Sequence, residues 1–137
     1  MAAQAIKSDR LPIRASEDVV TVRQSVRKAA LELGLSLVDQ TKAVTAASEI
    51  ARNTLIHGLG GWATIEVVES NGRRGLRATF EDQGPGIADV ERALQDGFTT
   101  GPGLGLGLGG AKRLSNEFEI VSKPGQGTRI TITRWKG

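Results

Sequence analysis

Apolar residues change their spacing once along this chain. Between residues 16 and 57 they recur every three or four positions, whereas in 63–69, 76–82, 118–122 and 128–135 they alternate with polar ones. Helices therefore come early as a pair and strands come late as hairpins. That order argues an α+β fold, a two-layer sandwich with helices packed on one face of a mixed, mostly antiparallel sheet. A chain of 137 residues is long enough to bury a core as one domain, 1–137.

The first fifteen residues carry short apolar pieces (Ile6, Leu11, Ile13) between charges and are compatible with an edge strand or a flexible start. Ser16 is placed to cap a helix whose apolar stripe is Val19, Val22, Val26, Ala29 or Ala30, and Leu33, ended by Gly34. A second helix is expected from about Asp39 to His57, with Ala43, Val44, Ala47, Ala51 and Leu55 on one side and Glu49 and Asn53 on the other. Four residues apart, Glu49 and Asn53 share a face and can address one object together. Asn71-Gly72 marks a hairpin between the first two alternating segments, and KPGQG (123–127) a turn between the last two. A short helix is expected over Asp89–Asp96, and another over Gly109–Asn116.

Composition removes much chemistry. The chain has no cysteine and one histidine, His57, which excludes disulfides, thiolate sites, a thiol nucleophile, multi-histidine metal sites and a classical serine triad. The net charge of +3 is mild, and the basic residues are scattered with no aromatic interleaving along the sequence, which argues against nucleic acid. Neither a long apolar run nor a signal-peptide pattern is present, so no membrane span is expected and the cytoplasm is the expected location.

Half of the 18 glycines lie between Gly84 and Gly110. Gly105, Gly107 and Gly110 satisfy GxGxxG, but no strand precedes them and no βαβ unit surrounds them, so the dinucleotide reading fails on context. No Lys-Ser or Lys-Thr follows at P-loop spacing. What remains is a glycine run entering a helix, a seat for phosphate made of backbone N–H groups. Taken alone, Glu49 and Asn53 read as a solvated helix face, and Asp82 before Gly-Pro-Gly as a strand end and turn. In this order the three segments make the parts of a nucleotide site without a metal cage.

The motifs are specific in combination. SEIARN (48–53) resembles the N box of the GHKL, or Bergerat-fold, ATPase and kinase superfamily; DQGPGI (82–87) resembles its first glycine box, GLGLGLGG (103–110) its second, and GQGT (125–128) its last conserved element. The resemblance runs from about residue 16 to the end. Within the superfamily, EDQGPGI, DGFTTGPGLG and KRLSNEF resemble the RsbT-type serine/threonine kinases of bacterial stress signalling, with anti-sigma-factor kinases as near neighbours. His57-Gly58 after the N box looks more like the latter group.

The resemblance implies Mg²⁺-ATP as cofactor, with Asn53 holding the ion through its amide oxygen. It implies Asp82 as acceptor from the adenine amino group, Gly84, Gly86 and Ile87 beside the base, and Thr128 as a buttress for Asp82 or for a water on adenine. Gly103, Leu104, Gly105, Leu106 and Gly107 would cradle phosphates, Phe98, Thr99 and Thr100 would lie in a lid, and Glu49 would orient the attacking hydroxyl. Arg52, beside Glu49, is as well explained by a surface ion pair, and His57 by the helix dipole. The implied partners are a STAS-domain protein substrate and a PP2C-type phosphatase or a large stress-signalling complex. The rivals are an anti-sigma factor with kinase activity and a nucleotide-dependent binding module without transfer.

Overall fold

A computed structural model describes residues 4–87, 89–94 and 107–136. The elements follow in the order β1 (Gln4–Ile13), α1 (Ser16–Leu33), α2 (Leu37–Ile56), β2 (Gly61–Ser70), β3 (Arg73–Asp82), α3 (Val90–Ala93), α4 (Gly107–Arg113), β4 (Glu117–Ser122) and β5 (Thr128–Trp135). The five strands form one sheet in the order β1-β2-β3-β5-β4. The sequence suggested a mixed, mostly antiparallel sheet, and every pairing among the described strands is antiparallel. The paired helices account for this at one edge. Passing along α1 and back along α2 returns the chain to the end of the sheet it left, so β2 runs back along β1.

The caps show how the sequence sets these boundaries. Ala15, not Ser16, is the N-cap of α1. The Asp18 carboxylate, in the first turn, reaches back and accepts from the backbone N–H groups of Arg14 at 2.8 Å and Ala15 at 3.1 Å. Gly34 ends α1 in the left-handed conformation that favours glycine, at φ 76°. Ser36 then caps α2, its hydroxyl accepting from the Asp39 N–H at 3.1 Å, so α2 starts two residues before the expected Asp39. The helix expected over Asp89–Asp96 is Val90–Ala93 with Asp89 as N-cap. The one expected over Gly109–Asn116 starts at Gly107 and ends at Arg113. Asn116 belongs instead to the sheet: its N–H donates to the Thr133 carbonyl at 3.0 Å, and its side-chain oxygen accepts from the Trp135 N–H at 2.7 Å.

The core lies between the helices and one face of the sheet. Val22, Val26, Ala30 and Leu33 of α1 meet Ile13, Ala63, Ile65, Leu76, Ala78, Phe80, Ile130 and Ile132 of the strands. Helix α2 buries Ala46, Ile50 and Thr54 in addition to the expected Ala43, Val44, Ala47 and Ala51, while Leu55 is only partly buried. Its buried band is wider than a single stripe because α2 packs on α1, on α4 and on the sheet. Thr54 tolerates this burial by donating its hydroxyl to the Ile50 carbonyl at 3.0 Å. Arg134 of β5 ties the layers together. Its guanidinium donates to Asp39 in the first turn of α2 at 2.7 Å and to the Leu114 carbonyl just after α4 at 3.1 Å. The hydrogen bond from Arg134 holds the Asp39 carboxyl below the usual carboxylate range. On the far side of the sheet Glu66, Arg77, Thr79, Glu81, Arg129 and Thr131 surround an open polar concavity of about 680 Å³. It lies away from the residues singled out in the sequence. Among the described residues no helix is long and apolar enough to cross a membrane.

Candidate functional site

Asp82 is the last residue of β3, paired across the sheet with Gly61 on one side and Thr128 on the other. Its side chain turns back onto the chain that follows. Oδ1 accepts from the N–H of Gly84 at 2.9 Å and from the N–H of Thr128 at 3.2 Å. Burial pushes the carboxyl above its ordinary range, and these two hydrogen bonds pull only part of the way back. The structure thus joins Asp82, Gly84 and Thr128, which lie up to 46 positions apart in the sequence.

Glycines make this close approach feasible. A Cβ on Gly58, near the start of the α2–β2 connection, would sit inside the Asp82 carboxylate, and one on Gly84 would lie 2.7 Å from the Gly58 carbonyl. On the opposite side, a Cβ on Gly127 would run into the Asp82 carbonyl, and one on Gly86 into that of Lys123. Gly86 and Gly127 also have φ of 77° and 80°, so any other residue there is strained as well as crowded. The clearance is used by the protein itself, by the Asp82 side chain at Gly58 and by backbone at Gly84, Gly86 and Gly127.

The turn between β4 and β5 straps the first glycine segment in place. The Gly125 N–H donates to the Pro85 carbonyl at 2.7 Å. Ser122, the last residue of β4, accepts from the Ile87 N–H at 2.7 Å, donates to the Gly127 carbonyl at 3.1 Å, and has its Oγ 2.7 Å from the Thr128 hydroxyl. Thr128 is buried, at 8% exposure, and Ile87 packs on the core. Sequence reasoning gave neither Ser122 nor Gly58 a role. A small residue in a connection and a serine at a strand end carry no signal until their contacts are known.

Helix α2 presents the second half of the site. Glu49 and Asn53, both half-buried, stand one turn apart, while Arg52 is exposed. The Glu49 carboxylate accepts from the Gly107 N–H at 3.4 Å, so the helix acid meets the point where the glycine run enters α4. The Asn53 carbonyl accepts from the N–H groups of His57 at 2.9 Å and Gly58 at 3.2 Å. His57 is the C-cap of α2. Gly58 therefore links the end of α2 to the Asp82 carboxylate. Phe98, Thr99, Thr100, Gly103, Leu104, Gly105 and Leu106 lie outside the described residues. No cluster of three or more His, Cys, Asp or Glu suited to a metal occurs among the described residues. The arrangement offers an acceptor at Asp82 and, along one helix, the Asn53 amide and a Glu49 carboxylate that meets the Gly107 N–H.

Comparison with known proteins bears on this geometry. Residues 38–136 match the family model described as histidine kinase-, DNA gyrase B- and HSP90-like ATPase. The chain is 47% identical over 118 residues to the serine/threonine-protein kinase RsbT of Bacillus subtilis, a match that covers 86% of this chain and 89% of that one. It is 32% identical over 130 residues to an anti-sigma F factor of Thermoanaerobacter sp. strain X514, covering 89% and 88% respectively. Its fold superposes with a TM-score of 0.65 on a crystal structure of the RsbU and RsbW domains of a Mycobacterium tuberculosis protein. That match, at 22% identity, covers 96% of this chain and 33% of the other. Together with the five-stranded sheet and its helical layer, these matches show that the chain belongs to the histidine kinase-, DNA gyrase B- and HSP90-like ATPase family.

Proposed function

We propose that the chain is an ATP-dependent protein serine/threonine kinase of a partner-switching system. The observation that carries the reading is the Glu49 carboxylate at the Gly107 N–H, 3.4 Å away. It sets a proton acceptor beside backbone suited to phosphate, where an incoming hydroxyl has to be aligned. Phosphoryl transfer is mainly positioning and charge stabilisation, so one well-placed carboxylate is chemically sufficient. Glu49 orients the serine or threonine hydroxyl and takes its proton as the new phosphate ester forms and ADP leaves. Asp82 accepts from the adenine amino group, Gly84, Gly86, Ile87 and Thr128 shape the base side, and Gly107 stands at the phosphate side. The 47% identity to a protein named as a serine/threonine kinase supports the same reading.

The donor set fits Mg²⁺. Asn53 would hold the ion through its amide oxygen, on the face of α2 that carries Glu49, and Mg²⁺ commonly asks for only one or two ligands from a protein. Bound there, the ion supplies neutralisation of phosphate charge. The substrate we propose is a STAS-domain regulator, whose phosphorylation frees the kinase to engage a PP2C-type phosphatase or a similar target. The cytoplasm is the compartment in which such a system works.

The experiment is transfer of labelled γ-phosphate from ATP to candidate STAS-domain proteins, followed by mapping of the modified residue. Label on a serine or threonine supports the reading, and ATP binding with no transfer to any candidate or co-purified protein leaves a binding module instead. A second reading, an anti-sigma factor with kinase activity, is favoured by the 32% identity to a protein named as an anti-sigma F factor. Stable capture of a sigma subunit by the purified chain decides for it.

A further inference from the structure

Ser122 has a single proton and three polar neighbours that compete for its oxygen. Its Oγ accepts from the Ile87 N–H at 2.7 Å, lies 3.1 Å from the Gly127 carbonyl, and lies 2.7 Å from the Thr128 hydroxyl. The Gly127 carbonyl can only accept, so Ser122 donates to it. Either oxygen can donate in the short bond between the two hydroxyls, and the arrangement that satisfies all three contacts takes its proton from Thr128. Ser122 then accepts two bonds and donates one. In that arrangement Thr128 has spent its only proton and keeps lone pairs, on the sheet face it shares with its cross-strand partner Asp82.

Thr128 also donates its N–H to Oδ1 of Asp82, at 3.2 Å, so the hydroxyl and the carboxylate belong to the same wall. A freely rotating threonine hydroxyl serves a donor or an acceptor equally well. One whose proton is committed elsewhere discriminates, because a carbonyl oxygen in front of it meets lone pairs and leaves a partly buried acceptor without a partner. We infer that Ser122 is a positioning residue that sets the polarity of the Thr128 hydroxyl, so that this wall accepts a base edge with amino hydrogens and rejects one with a carbonyl in the same place. The inference rests on the proposal that the Asp82 wall receives the base of ATP and adds to it the residue that sharpens the choice.

The same geometry predicts that Ser122 and Thr128 act as a unit. With Ser122 removed, the Thr128 hydroxyl turns freely and donates to a carbonyl as readily as it accepts. With Thr128 replaced by valine, there is no hydroxyl left to orient, and removing Ser122 has nothing further to relax in the choice between bases.

The test is calorimetric affinity for ATP and for inosine triphosphate, which carries a carbonyl oxygen where adenine carries its amino group. Wild type, Ser122→Ala, Ser122→Thr, Thr128→Val and the Ser122→Ala/Thr128→Val double variant are compared, each confirmed folded by its thermal transition. The wild type is expected to prefer ATP. Ser122→Ala is expected to narrow that preference by about tenfold, Ser122→Thr to restore it, and the double variant to show no more narrowing than Thr128→Val alone. A Ser122→Ala protein that binds both nucleotides more weakly by the same factor overturns the inference, since that is what loosening of the Ile87 segment alone produces. Additive narrowing in the double variant overturns it too, because the effect then bypasses Thr128. A wild type that binds neither nucleotide refutes the nucleotide-site proposal itself, a distinct result.

Discussion

Around Asp82, a carboxylate, two backbone N–H groups and a pair of hydroxyls are bonded to one another across β3, β4 and β5, and four glycines bring the backbones within contact of that network. Glu49 stands on a helix and reaches α4 through the Gly107 N–H at 3.4 Å, a distance at which a hydrogen bond is already weak. The first wall is set by sheet register. The second depends on how two helices pack. In the proposed function, recognition of the base and alignment of the hydroxyl rest on separate supports, and substitutions should affect one more than the other.

The largest expected effect falls on the helix side. Glu49→Ala should lower phosphoryl transfer by about 10²-fold or more, the usual contribution of a positioned general base, in a single-turnover assay with labelled ATP. Undiminished transfer would remove the acid from its assigned role and erase half of the contrast.

On the sheet side, Gly58→Ala drives a methyl group into the Asp82 carboxylate. Overpacking of this kind costs about 1–3 kcal/mol of stability, to be read in a denaturant melt, and ATP affinity should fall with it while the transfer rate of bound ATP changes less. A variant as stable and as avid as the wild type would show that the wall tolerates a shifted Asp82.

Titration sharpens the same contrast. Burial raises the folded carboxyl of Asp82, so its contribution to stability is complete below the ordinary carboxylate range and is lost as pH rises through the raised value. Ionisation costs stability there and readies the acceptor. ATP affinity should therefore weaken as pH is lowered, beginning above the ordinary carboxylate range, and Asp82→Asn should abolish that dependence in a calorimetric pH series. Asp39 has the opposite sign. Its carboxyl is lowered by the hydrogen bond from Arg134, so its contribution is present above the unfolded value and is lost as pH falls through the lower folded one. Asp39→Asn should reduce the melting temperature slightly at neutral pH, with the gap closing in acid and no change in nucleotide affinity.

The helices and strands were legible in the sequence because their periods differ and because Gly34 and Asn71-Gly72 punctuate them. The register of Asp82 against Thr128 was not, since pairing across 46 residues is decided by the whole sheet. The cap of α1 was misplaced because the helix starts one residue early, at the Ala15 cap, where Asp18 reaches back to the N–H groups of Arg14 and Ala15. The buried band of α2 was underestimated because periodicity reveals one partner, and this helix has three. Of the site, the residues with distinctive chemistry or strings could be named in advance. Gly58 and Ser122 could not, because each is defined by what the fold brings against it, one by the Asp82 carboxylate that a Cβ would meet and the other by the Ile87, Gly127 and Thr128 groups around its hydroxyl.

The separation of the two walls is tested most directly by calorimetric ATP binding to the wild type, Asp82→Ala and Glu49→Ala in parallel. The account predicts that Asp82→Ala loses about 1–3 kcal/mol of binding free energy and that Glu49→Ala binds as the wild type does. Unchanged affinity in Asp82→Ala together with lost affinity in Glu49→Ala would contradict it.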